Sequence, residues 1–198
     1  MNAKEIAFAL MMGALGNTLF AISFYLGPIS PGIALDFSLI AAFIAGFFGG
    51  PALGFISGLL VGALPGIMFG PLGFGSWLGL IGLPLGKALS GSTAGLIAKT
   101  FSLGQKPRSS LFGIPATLLA YVPESIFTYA YFAYLMPLFL TQGLETTVII
   151  AILLKAISEV TIMSFIIAAL MGNKGFNDFI RTFFSRTRNI PEATTAEK

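Results

Sequence analysis

Four ionisable side chains stand in stretches that are otherwise apolar: Lys87, Glu124, Lys155 and Glu159. A charge inside an apolar helix is costly unless it is paired or put to use, so each asks for a reason. Lys155 and Glu159 are four residues apart and share one helical face. Around Glu124 the residues Tyr121, Thr128 and Tyr131 recur at helical spacing and form a polar stripe. Lys155, Ser158 and Glu159 form a second polar group, Asp36 sits at the outer mouth of the second apolar run, and Asn17 is a lone amide within the first. Two chemistries fit these residue types. The lysines and glutamates pair off and hold a helix bundle in register, or some of them line a cavity open to the outside and bind a small polar solute. The tyrosines and threonine beside Glu124 favour a site, because ion pairing alone would not need them.

Other chemistries are excluded by what the chain lacks. Without cysteine or histidine there are no thiolate metal sites, no cysteine nucleophile and no imidazole base. The segment Gly82-Leu-Pro-Leu-Gly-Lys87-Ala88 is one residue short of a phosphate-binding loop, and alanine replaces the magnesium-holding Ser or Thr. Gly73-x-Gly75 does not continue to the third glycine of a dinucleotide loop, and no serine lies in a Gly-x-Ser-x-Gly context. The chain is therefore expected to be no enzyme, with no catalytic residues, metal or cofactor. A lipid-modifying membrane enzyme would need clustered carboxylates with a metal, and here the carboxylates are spread over separate helices.

The elements that carry these residues follow from hydropathy. Apolar residues make up 56% of the chain and charged ones 10%, and uncharged stretches run from Ile6 to Leu35 and from Phe37 to Gly86. That composition cannot cover a soluble surface, so lipid is the expected solvent. The first run, from Ile6 to about Leu26, is too long for a signal-peptide core and no Ala-x-Ala site follows, so it reads as a retained span. A span needs about 20 apolar residues, and six candidates appear: 6–26, 34–49, 52–64, 76–98, 111–137 and 147–171. Glycine–proline clusters separate the early ones, at Gly27–Gly32, Gly49–Pro51 and Pro65–Gly66.

Charge sets the topology. Basic loops stay in the cytoplasm, so Lys4, the loop holding Lys99, Lys106 and Arg108, and the tail from Lys174 to Arg188 should share a side. An even number of crossings then separates Lys4 from Lys99, so two short spans are expected there and not one broken helix. The expected fold is an all-α integral membrane protein: a bundle of six transmembrane helices over 1–172, both termini cytoplasmic. Its outer loops, 27–33, 65–75 and 138–146, carry no Lys or Arg. The apolar, glycine-rich middle loop is expected to dip inward and cap a cavity, since irregular backbone at membrane depth must be buried in protein or line one. Counted at 1.5 Å per residue, Lys155 falls in the outer half and Lys87, Glu124 and Glu159 lie nearer the midplane. Basic loops and tail account for the high pI, and no nucleic-acid partner is expected.

Phe176, Phe179, Ile180, Phe183 and Phe184 recur at three- and four-residue spacing, with Arg181, Arg186 and Arg188 mostly off that stripe. This predicts an amphipathic helix over 173–189 lying on the cytoplasmic leaflet, followed by a disordered tail, 190–198. Gly54-x-x-x-Gly58-x-x-x-Gly62 is a small-residue face for close helix packing within the bundle. The first span carries another, Ala3-x-x-x-Ala7 overlapping Ala9-x-x-x-Gly13, which either packs internally or docks a second membrane subunit.

Pro28-Ile-Ser-Pro-Gly-Ile-Ala-Leu-Asp36, Phe43-Ile-Ala-Gly-Phe-Phe-Gly-Gly-Pro51, Gly58-Leu-Leu-Val-Gly62 and Leu64-Pro-Gly66 resemble the substrate-binding S components of energy-coupling factor (ECF) vitamin transporters. The resemblance covers roughly residues 3–172 and extends to the layout of six spans with a small-residue first helix. It implies a subunit of a prokaryotic plasma membrane that takes a vitamin-like solute from outside. It also implies docking on a membrane coupling protein carrying two ABC-type ATPases. The pocket would fall on Asp36, Trp77, Tyr121, Glu124, Thr128, Lys155 and Glu159, with Lys87 a further charged candidate. Ala3, Ala7, Ala9 and Gly13 would match the surface that meets the coupling protein, glycine replacing one expected alanine. The rival reading is a self-sufficient secondary transporter or channel, with Glu124 or Glu159 as a proton relay.

Overall fold

The structure is a computed structural model that describes residues 1–26, 28–30, 33–73, 75–101, 103, 109–140 and 144–185. Helix α1 (Ala3–Tyr25) is opened by a capping box: the Asn2 side chain accepts the Glu5 N–H, and the Glu5 carboxylate accepts the Asn2 N–H. Each end of that exchange satisfies an N–H that the first helical turn leaves without a partner. A short antiparallel ribbon, β1 (Pro28–Ser30) with β2 (Ile33–Ala34), follows. Then come α2 (Leu39–Gly49), α3 (Pro51–Val61), α4 (Ala63–Phe69) and α5 (Ser76–Phe101). Next is α6 (Ser109–Ala130), continued by a π-helical turn (Tyr131–Leu135) and α7 (Met136–Phe139). The described chain ends with α8 (Thr146–Gly172) and α9 (Lys174–Ser185).

Five segments are long and apolar enough to cross a membrane: Ala3–Tyr25, Pro51–Phe69, Ser76–Phe101, Ser110–Phe139 and Thr146–Gly172. Their lengths and compositions make the chain a multi-pass membrane protein. The shorter α2, an apolar helix of 11 residues, is buried along Leu39 to Phe47. A helix apolar on every side belongs inside a bundle, and α2 packs against α3, α5 and α1.

Two expected boundaries move. The second apolar run was expected to be helical from about residue 34, yet α2 starts at Leu39, because Asp36 accepts the Ser38 N–H and holds the preceding residues in a turn. The third run was expected to stop at Pro65-Gly66, yet the helix resumes through α4 to Phe69. Pro65 lies in the first turn of α4, where its missing N–H costs nothing. The break before it is held by Asn17 of α1. Its amide nitrogen donates to the Gly13 and Leu60 carbonyls, and its oxygen accepts the Leu64 N–H at 3.0 Å. This explains the lone amide of the first span: two of its three polar contacts mend the interrupted helix beside it, and the third returns to its own helix at Gly13.

Glycine sets the central spacing. Gly50, with φ +92°, reverses the chain between α2 and α3 in the left-handed region that favours glycine. Beyond the reversal, α3 and α5 form the most extensive helix pair. A Cβ at Gly54 would overlap the Gly91 carbonyl, so the two backbones touch. The Gly54–Gly58 face is thus spent inside the bundle.

The aromatic stripe of α9 also faces protein. Phe183 and Phe184 pack on Phe8 of α1, Phe176 meets Phe48 of α2 edge-on at 5.0 Å, and Ile180 is buried. Lys4 donates to the Phe183 carbonyl. Phe179 alone of the five stays exposed. The stripe was expected to enter the lipid interface; instead it closes the end of the bundle where α1 begins and α2 ends. The 3.6-residue period was correct, but periodicity does not say whether lipid or protein covers the face. The predicted disordered tail, 190–198, lies outside the described residues, as do Lys106, Arg108, Arg186 and Arg188.

Candidate functional site

Asp36 lies in the turn before α2, and its two carboxylate oxygens have different partners. One accepts the Ser38 N–H and hydroxyl. The other takes the Lys87 ammonium of α5 at 2.6 Å. Lys87 also donates to the Ser38 hydroxyl at 2.8 Å. From the opposite side, Glu159 of α8 accepts the backbone N–H of Asp36 at 2.6 Å, and its second oxygen pairs with Lys155 one turn away at 3.0 Å. A continuous chain of charge-assisted hydrogen bonds therefore joins α8, the mouth of α2 and α5. Lys87 and Glu159 are 5% and 4% exposed, so this network works with little solvent screening.

Glu124 of α6 stands outside that network. It follows Pro123 in the helix and lies over Gly86 of α5, where a Cβ would sit 3.4 Å from its Cγ. It belongs to no ion pair among the described residues, and its Oε2 is buried without a hydrogen-bond partner. The Ser90 hydroxyl approaches it without completing a hydrogen bond. One to two turns along, the chain enters the π-helical turn at Tyr131, whose phenol oxygen is likewise buried and unpartnered. Its ring stacks on Phe127 at 6.1 Å and packs across Gly82 of α5, where a side chain would overlap it. π-turns inside α-helices are frequent at functional sites.

These groups surround one cavity of about 160 Å³, close to the size that accepts a single aromatic ring in an engineered apolar site. Asp36, Lys87, Tyr121 and Glu124 line it, as do Thr128, Lys155 and Glu159. Seven residues from four separate segments, singled out by type and depth, thus face one space. Phe69 at the end of α4 and Gly75 before α5 also reach it. The loop expected to dip inward contributes those two residues, while Pro71, Leu72 and Gly73 between them are exposed.

Trp77 does not join the lining. It is 50% exposed and packs edge-on against Phe139 at 5.7 Å. Ser158 also turns outward, its hydroxyl returning to the Leu154 carbonyl. The expected docking face of α1 divides. Ala3 and Ala7 are exposed, whereas Ala9 is buried and Gly13 is pressed against Leu60 of α3. At 100° per residue, positions 7 and 9 point to nearly opposite sides, so the two small pairs cannot share a surface.

Ser38, Phe127, Tyr131 and Phe132 reach the network or the cavity without having been singled out as binding residues. Tyr131 was visible as a member of the polar stripe. Ser38 could have been found from its spacing to Asp36, since Asp-x-Ser before a helix is a turn signature. Among the described residues no three carboxylates converge as metal ligands. What the arrangement offers is a largely apolar, aromatic-walled space with one carboxylate outside the ion pairs.

No protein-family model, curated protein or solved structure matches the chain.

Proposed function

We propose that this chain is the solute-binding membrane subunit of an ATP-driven importer of the energy-coupling-factor type, capturing a vitamin-like nutrient from outside. The observation that carries the reading is the cavity: formed between helices, walled by aromatic rings and lined by charged side chains, most of them held by their own network. A small-molecule site of this kind combines an apolar wall with few placed polar groups. Six crossings with both termini cytoplasmic fit the alternation of helix ends. The far end of α1 meets α4 through Phe20, Phe24 and Phe69, while the start of α1 and the end of α2 meet α9. Apart from the two cavity lysines, the described basic residues Lys4, Lys99, Lys174 and Arg181 belong to the α9 end, which suits the cytoplasmic side of a prokaryotic plasma membrane. A coupling protein with two ATPases would supply the energy. Its contact on α1 is then the lipid-facing side of Ala3 and Ala7 and not the buried Ala9 and Gly13.

Mass spectrometry of small molecules extracted from the detergent-purified chain tests this reading. A vitamin-sized compound that is retained without ATP and lost in Glu124→Ala supports it. Concentrative uptake by the chain alone in sealed vesicles would sink it. That second outcome is the rival reading, a proton-coupled transporter, and the unpaired Glu124 is the observation in its favour. Glu159 is the weaker relay candidate, since Lys155 and the Asp36 N–H already occupy both its oxygens.

A further inference from the structure

The charged groups lining the cavity do not balance: Asp36, Glu124 and Glu159 face Lys87 and Lys155. Four of the five satisfy one another. Lys87 is held by Asp36 and Ser38, Lys155 by Glu159, and the remaining oxygens of Asp36 and Glu159 take N–H or O–H donors from the turn before α2. Each ammonium is already neutralised by a carboxylate, so an incoming anion finds no unpaired positive charge. Glu124 is left, outside every ion pair among the described residues, with the Ser90 hydroxyl nearby and a buried oxygen that has no hydrogen-bond partner. An unpaired carboxylate in such a place is costly until something brings it the opposite charge. The same cavity is lined by Lys87, already held by Asp36 and Ser38, and by aromatic rings, Phe127 and Tyr131 stacked together and Phe132 edge-on to Tyr131 at 5.1 Å. Aromatic faces carry negative potential and attract cations. The unpartnered Tyr131 hydroxyl adds a neutral group that can accept a hydrogen bond.

We propose that the cavity selects a compact organic cation, a ring-sized molecule whose positively charged N–H group seats on Glu124 between the rings of α6. The inference rests on the solute-binding reading and narrows it. A simple anion would meet only ammonium groups whose charge a carboxylate already balances. A zwitterion would have to break the Lys87–Asp36 or Lys155–Glu159 pair to seat its negative end.

Three probes of nearly equal shape separate the possibilities: benzamidinium, benzamide and benzoate, titrated at neutral pH into the full chain in detergent micelles and followed by ligand-observed NMR. Benzamidinium is expected to bind at least tenfold more tightly than benzamide, with benzoate weakest. Glu124→Gln should bring benzamidinium down to the level of benzamide, and Glu124→Asp should keep the cation preference. Ala156→Phe, which fills the cavity from α8, should abolish binding of all three. If benzamide or benzoate binds as well as benzamidinium, and Ala156→Phe removes that binding, the cavity holds solutes but the charge selection is overturned. Benzamidinium binding that survives Ala156→Phe also overturns it, because the cation then sits elsewhere. If no probe binds at the highest soluble concentration, both the selection and the solute-binding reading fail. The comparison on the unaltered chain decides even if Glu124→Gln does not fold.

Discussion

Replacing Lys87 by methionine keeps the apolar stem of the side chain and removes the charged end, which isolates the Asp36 carboxylate. Two hydrogen bonds from the ammonium are lost, to Asp36 at 2.6 Å and to Ser38 at 2.8 Å. A hydrogen bond to a charged group contributes about 1.5–3 kcal/mol. Breaking a buried pair by deleting one partner costs about 3–5 kcal/mol, because the survivor stays buried and uncompensated. The side chains of Lys87 and Asp36 are only 7% and 18% exposed, so water relieves little of that cost. The expected loss is therefore roughly 3–5 kcal/mol in unfolding by SDS titration, followed by circular dichroism. The double variant Lys87→Met/Asp36→Asn should recover most of it, since a neutral amide can keep the turn contact with Ser38 and no charge is stranded. Lys155→Met is the companion test. It strands Glu159, whose side chain is only 6% exposed, so the loss should fall in the same range, about 3–5 kcal/mol. If Lys87→Met costs less than about 1 kcal/mol, or the double variant is no more stable than the single, the account of a buried, paired network is wrong.

Other outcomes follow from the same contacts. Asn17→Leu strips the Leu64 N–H and the Leu60 carbonyl of their partner; it should destabilise by about 2 kcal/mol and raise hydrogen exchange at Leu64. Gly54→Leu should prevent formation of a monodisperse folded protein, because the side chain would enter the Gly91 carbonyl, whereas Gly50→Ala meets open space and should cost roughly 1–3 kcal/mol for its backbone conformation alone. Phe183→Ala should free α9 from Phe8 and accelerate limited trypsin cleavage at Arg181, while Phe179→Ala, on the exposed side, should not. Trp77→Phe should leave solute affinity within about twofold, a result that a Trp77-lined pocket would contradict.

The residues facing the cavity were legible in advance to the extent that lipid made them conspicuous. Lys87, Glu124, Lys155 and Glu159 stand out because a charge is expensive there, and a bundle can hide such groups only toward its interior. Their partners were not legible. Nothing local distinguishes Lys87–Asp36, 51 residues apart, from Lys87–Glu124. Trp77 and α9 were misplaced for a related reason: an aromatic residue at a helix end, or a stripe of them, is apolar toward lipid and protein alike. The small faces of α1 show the same ambiguity, resolved only by which side α3 occupies.

By itself the sequence determined the solvent and the elements. Hydropathy, the scarcity of charge and the glycine–proline breaks are properties of residue types and their order, and they need no neighbours to act. They dictated apolar helices of membrane length and an inward-facing set of polar groups. The tertiary structure decided the rotation and depth of each helix against the others. Those variables set which carboxylate receives an ammonium and which is left over, because a hydrogen bond is satisfied or lost over a fraction of an ångström while hydropathy averages over whole turns. Glu124 was one charge among several until the packing of α5, α6 and α8 left it as the carboxylate in the cavity without a partner.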